Sequence, residues 1–311
     1  MTDKTILVNV PSSVPTVVTD QIRFVFANGE EMLYDFLVDV PGPKLNSIKS
    51  EYVEAGDVAI LTGDFFFEPT TVTFAGGEEG TISSLSKTEV QVIVPEGAEM
   101  GEIAISTNFG TVESDFLFRD NRNLIVDYDA WRSRSWNSPV ADVTAGTNEL
   151  APCSGNYTYF KWDNVGAWQW VNELNMMYIA EDPETGRGNI PIFPAGANVN
   201  EWGVRFEINV AFEWREIPLE IFFAPYGGDH GRDIPVPLAR WKPWEANGLY
   251  QTDGWETVTV PLTEFTEDKD GNPAELDDLS DLTNFTIMFF GAADGTQNVH
   301  IGIDNPRVVK L

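Results

Sequence analysis

Short runs of alternating apolar and polar residues recur along the whole chain, and helical periodicity is nearly absent. Such runs occupy residues 5–10, 90–94, 102–106, 204–210, 219–223, 257–260, 285–290 and 300–303. They are rich in Val, Ile, Phe and Thr and are bounded by Gly, Pro, Asn and Asp, the composition of strands and tight turns. Many short strands with frequent turns fold as sandwiches or barrels, so the chain is expected to be all-β. The one stretch with helical character, residues 275–282, is weak.

The first third carries an internal repeat. Val8-Asn9-Val10-Pro11 matches Val92-Ile93-Val94-Pro95, and each is followed by a strand and a turn (Asn28-Gly29 or Asn108-Phe109-Gly110). Asp35-Phe36-Leu37 and Asp115-Phe116-Leu117 then close the two copies. Residues 1–43 read as the C-terminal part of a unit that residues 44–119 contain whole, with Pro41-Gly42-Pro43 as a stiff linker. The chain is therefore expected to be a piece of a longer protein. Residues 120–311 form one further domain by length.

Charge and cysteine content exclude several functions. The net charge is −30. Both parts share it: six bases stand against nineteen acids before residue 120, and thirteen against thirty from there on. Such a surface repels phosphate backbones, so nucleic acid is excluded as a partner, and anionic glycans and membranes are disfavoured. A single cysteine, Cys153, and two histidines, His230 and His300, leave no disulfide and no thiolate or multi-histidine metal site. No apolar run approaches a membrane span.

All ten tryptophans lie between Trp131 and Trp255. A neutral glycan presents C–H-rich ring faces and hydroxyl edges. Rigid aromatic side chains cover the faces, and Asp, Asn, Glu or Arg take the hydroxyls. Trp241 and Trp244 end an irregular Pro- and Gly-rich segment, the kind of loop that carries function on a sandwich. Trp168 and Trp170, at strand spacing, share a face, as do Tyr157 and Tyr159. The four are candidates for an aromatic strip or for core. Trp202, Trp214 and Trp255 adjoin strands and are expected to be buried, while Trp131 and Trp162 are ambiguous. On residues 204–210 the apolar side chains face one way and Arg205, Glu207 and Asn209 the other. These three bind sugar hydroxyls if that face is concave and are merely solvated if it is convex.

The motifs carry two resemblances. Leu45-Asn46-Ser47-Ile48, Glu54-Ala55-Gly56-Asp57 and Ile60-Leu61-Thr62-Gly63-Asp64-Phe65, followed by the strand ending at Pro95, resemble the IPT/TIG immunoglobulin-like domain across residues 44–119. Trp241-Lys242-Pro243-Trp244, the run from Gly248 to Trp255, and Thr257-Val258-Thr259-Val260-Pro261-Leu262 resemble surface glycan-binding proteins encoded in polysaccharide utilisation loci. The resemblance implies immunoglobulin-like spacers followed by a jelly-roll-like carbohydrate-binding β-sandwich. It also implies non-catalytic capture of a neutral β-glucan such as laminarin, mixed-linkage glucan or xyloglucan. The site residues would be Trp241, Trp244, Trp168, Trp170, Tyr157, Tyr159, Arg205, Glu207 and Asn209. Location follows by the same resemblance: an outward-facing outer-membrane lipoprotein beside a glycan transporter, touching the membrane only through a lipid anchor this chain lacks.

Residues 124–129 and 301–305 are acid-tipped strands, as in jelly-roll carbohydrate-binding modules whose first and last strands lie side by side and share a structural calcium. Asp127, Asp129 and Asp304 are the ligand candidates, with turn caps or solvated strand ends as the alternative. No other cofactor is expected. The acidic stretch from Glu264 to Asp281 lacks the spaced ligand series of a calcium loop and reads as solvated. Two other functions stand beside capture: a glycoside hydrolase using a carboxylate pair, and a structural adhesin. No hydrolase signature is present.

Overall fold

The computed structural model describes residues 18–129, 143–144, 150–165, 171–177, 191–225, 236–289 and 297–311, with residues 7, 9 and 146. The chain divides into two units. Unit 1 comprises Met1–Ile48 and Ala55–Phe118; unit 2 comprises Lys49–Glu54 and Arg119–Leu311. Among the described residues neither contains an α-helix.

Among the described residues unit 1 has first a hairpin, β1 (Gln21–Val25) against β2 (Glu31–Asp35), turning at Asn28-Gly29. Two sheets follow. One has the order β3 (Lys44–Ile48), β4 (Val58–Asp64), β7 (Glu89–Ile93), β6 (Thr81–Leu85); the other is β5 (Thr70–Ala75), β8 (Glu99–Thr107), β9 (Gly110–Glu113). Alternation builds the core: Val90 and Val92 of β7 and Ile103 and Ile105 of β8 are fully buried, while their neighbours point out. The glycine of the Gly63-Asp64-Phe65 motif has a steric role. A Cβ there would lie 1.9 Å from the Lys44 carbonyl oxygen and 2.5 Å from the Phe66 ring, so any side chain would break the β3–β4 pairing.

Unit 2 is a sandwich of two antiparallel sheets. The first has the order β10 (Val143–Thr144), β11 (Tyr157–Val165), β18 (Gln297–Lys310), β13 (Trp202–Val210), β16 (Glu256–Pro261). The second runs β12 (Val171–Met177), β17 (Leu282–Phe289), β14 (Leu219–Pro225), β15 (Leu238–Trp241). Val204, Phe206, Ile208, Phe160, Ile301 and Ile303 of the first sheet pack on Leu219, Ile221, Phe223, Phe285, Ile287 and Phe289 of the second. The first and last segments do meet: Leu124 bridges to Arg307, and the Ile125 N–H donates to the Pro306 carbonyl at 2.7 Å.

β18 contains a bulge. Arg205 pairs with Arg307 and Glu207 with Asp304, so β18 spends one residue more than β13 between the two pairs, and Asn305 takes a left-handed φ of 48°. The helical reading of residues 275–282 is corrected: the segment is irregular, held by buried Leu276 and Leu279, and Leu282 already begins β17.

Candidate functional site

The outer face of the five-stranded sheet gathers most of the polar and aromatic residues singled out by the sequence. Alternation on β13 holds: Val204, Phe206, Ile208 and Val210 turn inward, and Arg205, Glu207 and Asn209 turn outward. That face is not solvated at Glu207, which is fully buried. Its carboxylate accepts two hydrogen bonds from Arg307, at 2.8 and 3.0 Å, and one from the Thr257 hydroxyl at 2.9 Å. Arg205 donates to Thr259 Oγ1 at 2.7 Å and to the Glu51 carboxylate at 2.7 Å. Asn209 is buried at 6 % exposure. Glu207 is thus corrected from a sugar ligand to an internal ion-pair partner, because its hydrogen-bonding capacity is consumed inside the fold.

Tyr157 and Tyr159 share a face as their spacing requires, with ring centroids 6.4 Å apart and edge-on. Both are buried, at 0 % and 7 % exposure, so they form no open strip. The Tyr157 hydroxyl donates to the Leu150 carbonyl, and Trp255 lies edge-on at 5.1 Å with its indole N–H on the Ala151 carbonyl. Gly302 makes room for this: a Cβ there would lie 2.8 Å from the Trp255 ring. Trp168 and Trp170, and Trp131, lie outside the described residues, as do the side-chain surroundings of Trp162.

A second aromatic group sits where β15 leaves its sheet. Trp241 is half-buried and edge-on to Trp214 at 5.6 Å, Tyr250 at 5.6 Å and Phe206 at 5.9 Å. Trp214 is fully buried, its indole N–H held by the Ile217 carbonyl at 2.7 Å. Trp214 and Tyr250 exchange both backbone hydrogen bonds at 2.8 Å, which pins the loop behind Trp241. Trp244 lies in the short 3-10 turn Pro243–Glu245, half-buried against the core, with its indole nitrogen shielded from solvent. Trp202 is likewise half-buried against the core.

The three acids considered as calcium ligands take protein donors instead. Asp127 accepts the Asp129 N–H at 2.9 Å, and Asp129 accepts the backbone and side-chain amides of Asn156 at 2.7 and 2.8 Å. Asp304 is buried and accepts from the Cys153 thiol, the Ser154 hydroxyl and the Asn305 N–H. Burial, reinforced by the nearby Glu207 charge, pushes the Asp304 carboxyl well above its usual range, and burial pushes the Cys153 thiol up too. Among the described residues no group of acids, histidines or cysteines gathers as a metal site.

Sequence reasoning missed Arg307, fully buried at the centre of the outer face, and Phe212, whose ring stays 46 % exposed, 4.5 Å from His300 and edge-on to it. Phe212 lies two residues past the end of β13, where continuing that strand's alternation would have turned it inward; the strand has ended, and the ring stays out.

Residues 118–310 match the family model of the surface glycan-binding protein B xyloglucan binding domain. The chain belongs to that family. The chain is 22 % identical over 290 residues to an IPT/TIG domain-containing protein of Bacteroides ovatus, an alignment covering 89 % of this chain and 54 % of that protein. It therefore spans about half the length of that curated relative. Among solved structures it is similar to the surface glycan-binding protein PbSGBP-B from Prevotella bryantii, with a TM-score of 0.71, 24 % identity and coverage of 100 % of this chain and 86 % of that one. SGBP-B from a complex xyloglucan utilization locus in Bacteroides uniformis follows at a TM-score of 0.64, 17 % identity and coverage of 96 % and 82 %. At these identities the structures establish the shared all-β fold.

Proposed function

We propose that unit 2 captures a neutral β-glucan of the xyloglucan class at the bacterial cell surface and does not cleave it. The observation that carries this reading is the family match over residues 118–310. Physical support comes from the charge of −30, which disfavours polyanionic glycans while leaving uncharged ones unaffected. It comes also from Trp241 and Trp244, which are only partly buried where β15 leaves its sheet. Each sugar ring stacked on an indole buries roughly 100 Å² of apolar area, worth about 2.5 kcal/mol before ordering costs, so two or three stacks supply about 5–7.5 kcal/mol gross and give weak, reversible capture. Lipid anchoring in the outer membrane beside a glycan transporter belongs to the same reading, as does independence from any cofactor.

The test is affinity electrophoresis through gels containing xyloglucan, mixed-linkage glucan, laminarin or an anionic polysaccharide, with a reducing-end assay on the same glycans. Retardation by xyloglucan, none by the polyanion, and no new reducing ends are expected. Retardation by the polyanion alone would reject capture of neutral glycans. New reducing ends lost on a single carboxylate substitution would make the protein a hydrolase.

A further inference from the structure

An open sheet edge invites pairing with other chains, and β16 is an edge of the five-stranded sheet. Within unit 2 the segment Lys49–Glu54 lies along it. The Thr257 N–H donates to the Lys49 carbonyl at 2.8 Å, and the Glu51 N–H donates to Thr257 Oγ1 at 2.7 Å. The Lys49 ammonium reaches the Asp253 carbonyl. Arg119 closes the other side, donating to the carbonyls of Glu51 at 2.8 Å and Val53 at 2.6 Å.

The Glu51 side chain then crosses onto the outer face. One carboxylate oxygen accepts from Arg205 at 2.7 Å and the other from Arg307 at 2.6 Å. Those arginines are direct partners across β13 and β18. Tyr52 packs its ring 5.1 Å from the Arg307 guanidinium carbon and donates its hydroxyl to the Asp120 carbonyl at 2.7 Å. Ser50, Glu51 and Tyr52 are all buried. The family match starts at residue 118, so it does not contain this segment.

We propose that Lys49–Glu54 is a strap integral to the glycan-binding unit. It shields the β16 edge and, through Glu51, fills a two-arginine carboxylate site, closing that half of the polar face to sugar. The last clause rests on the capture reading; the strap itself does not. Two adjacent guanidiniums would otherwise form a docking site for any carboxylate-bearing segment. The strap satisfies them in cis.

The experiment uses the full chain and compares wild type, Glu51→Gln and Glu51→Ala by residue-resolved hydrogen exchange and by mobility in xyloglucan gels. Glu51→Ala is expected to speed exchange of the Thr257 amide by about 100-fold and Glu51→Gln by less, with gel retardation within about two-fold of wild type. Unchanged exchange in both variants overturns the strap. Lost retardation with unchanged exchange makes Glu51 a sugar contact and also overturns it. Should Glu51→Ala fail to fold, Thr257→Val removes only the hydroxyl links, and faster exchange of the Glu51 amide is expected; unchanged exchange there overturns the strap as well. If wild type is retarded by no glycan, the capture reading fails while the exchange comparison still decides the strap.

Discussion

Glu207 on β13 stands directly opposite Asp304 on β18, two buried carboxyl groups paired across one ladder. Like charges so placed are destabilising unless each is otherwise satisfied. Arg307 supplies two hydrogen bonds to Glu207, while Asp304 turns to Cys153, Ser154 and the Asn305 amide. Burial opposes the charge on Arg307, but Glu207 and Glu51 outweigh it and hold the guanidinium above its ordinary range. Truncating Glu207 strands that guanidinium in the interior. Glu207→Ala is expected to cost about 3–5 kcal/mol in urea unfolding, and Glu207→Gln less, because the amide keeps one acceptor.

The same pair gives the protein an acid-side gain. Burial first, and the Glu207 charge after it, raise the Asp304 carboxyl above its usual 3.8. Burial likewise lifts Glu207 above its usual 4.5, against the pull of Arg307. Both groups bind their protons more tightly folded than unfolded. Their contribution is complete below the unfolded values and is lost as pH rises through the folded ones. Asp120 works oppositely: burial resists its charge, but the Arg122 hydrogen bonds prevail, so its contribution is lost only as pH falls below 3.8. The urea midpoint is therefore expected to rise on going from about pH 8 to about pH 5, with a smaller rise in Asp304→Asn.

Trp241 and Trp244 separate stability from binding. Trp241 is edge-on to three rings, so Trp241→Ala is expected to lose about 2–4 kcal/mol of stability, measured by urea unfolding. Trp244 makes none of the described ring contacts, and Trp244→Ala is expected to lose about 1–2 kcal/mol. On the capture reading, Trp244→Ala also weakens xyloglucan retardation about ten-fold, at a temperature where the variant is folded. Unaltered retardation with intact folding would remove Trp244 from the site.

Gly302 offers a purely steric test. An added methyl group meets Trp255 at 2.8 Å and Leu150 at 3.2 Å, and Trp255 is itself fixed by its hydrogen bond to Ala151. Gly302→Ala is expected to cost about 1–3 kcal/mol and to shift the tryptophan fluorescence of the native state.

Alternation within one strand was legible: β13 turns the side chains named from its pattern to the face expected. What covers a face was not. Glu207 is closed in by Arg307 and Thr257, and Arg205 by Glu51, whose position in sequence is remote from β13; no local periodicity encodes those meetings. The spacing of Tyr157 and Tyr159 likewise puts two rings on one side, but Leu150 and Trp255 decide that this side is closed. The loop position of Trp241 suggested exposure; the paired backbones of Trp214 and Tyr250 draw it halfway into the core instead.

The extra residue in β18 has a consequence for how the strand can be read. Up to Asp304, even-numbered side chains such as His300 and Asp304 lie outside the core cluster, and odd-numbered Val299, Ile301 and Ile303 belong to it. Beyond Asn305 the parity inverts: Arg307 joins the outward ion pairs and Val308 enters the core. One inserted position thus lets residues three apart, Asp304 and Arg307, work on the same surface. Laid out as a regular strand without the bulge, the same residues would drive a guanidinium into the hydrocarbon interior and turn Val308 out to water, exchanging the two sides for the whole C-terminal end of the strand.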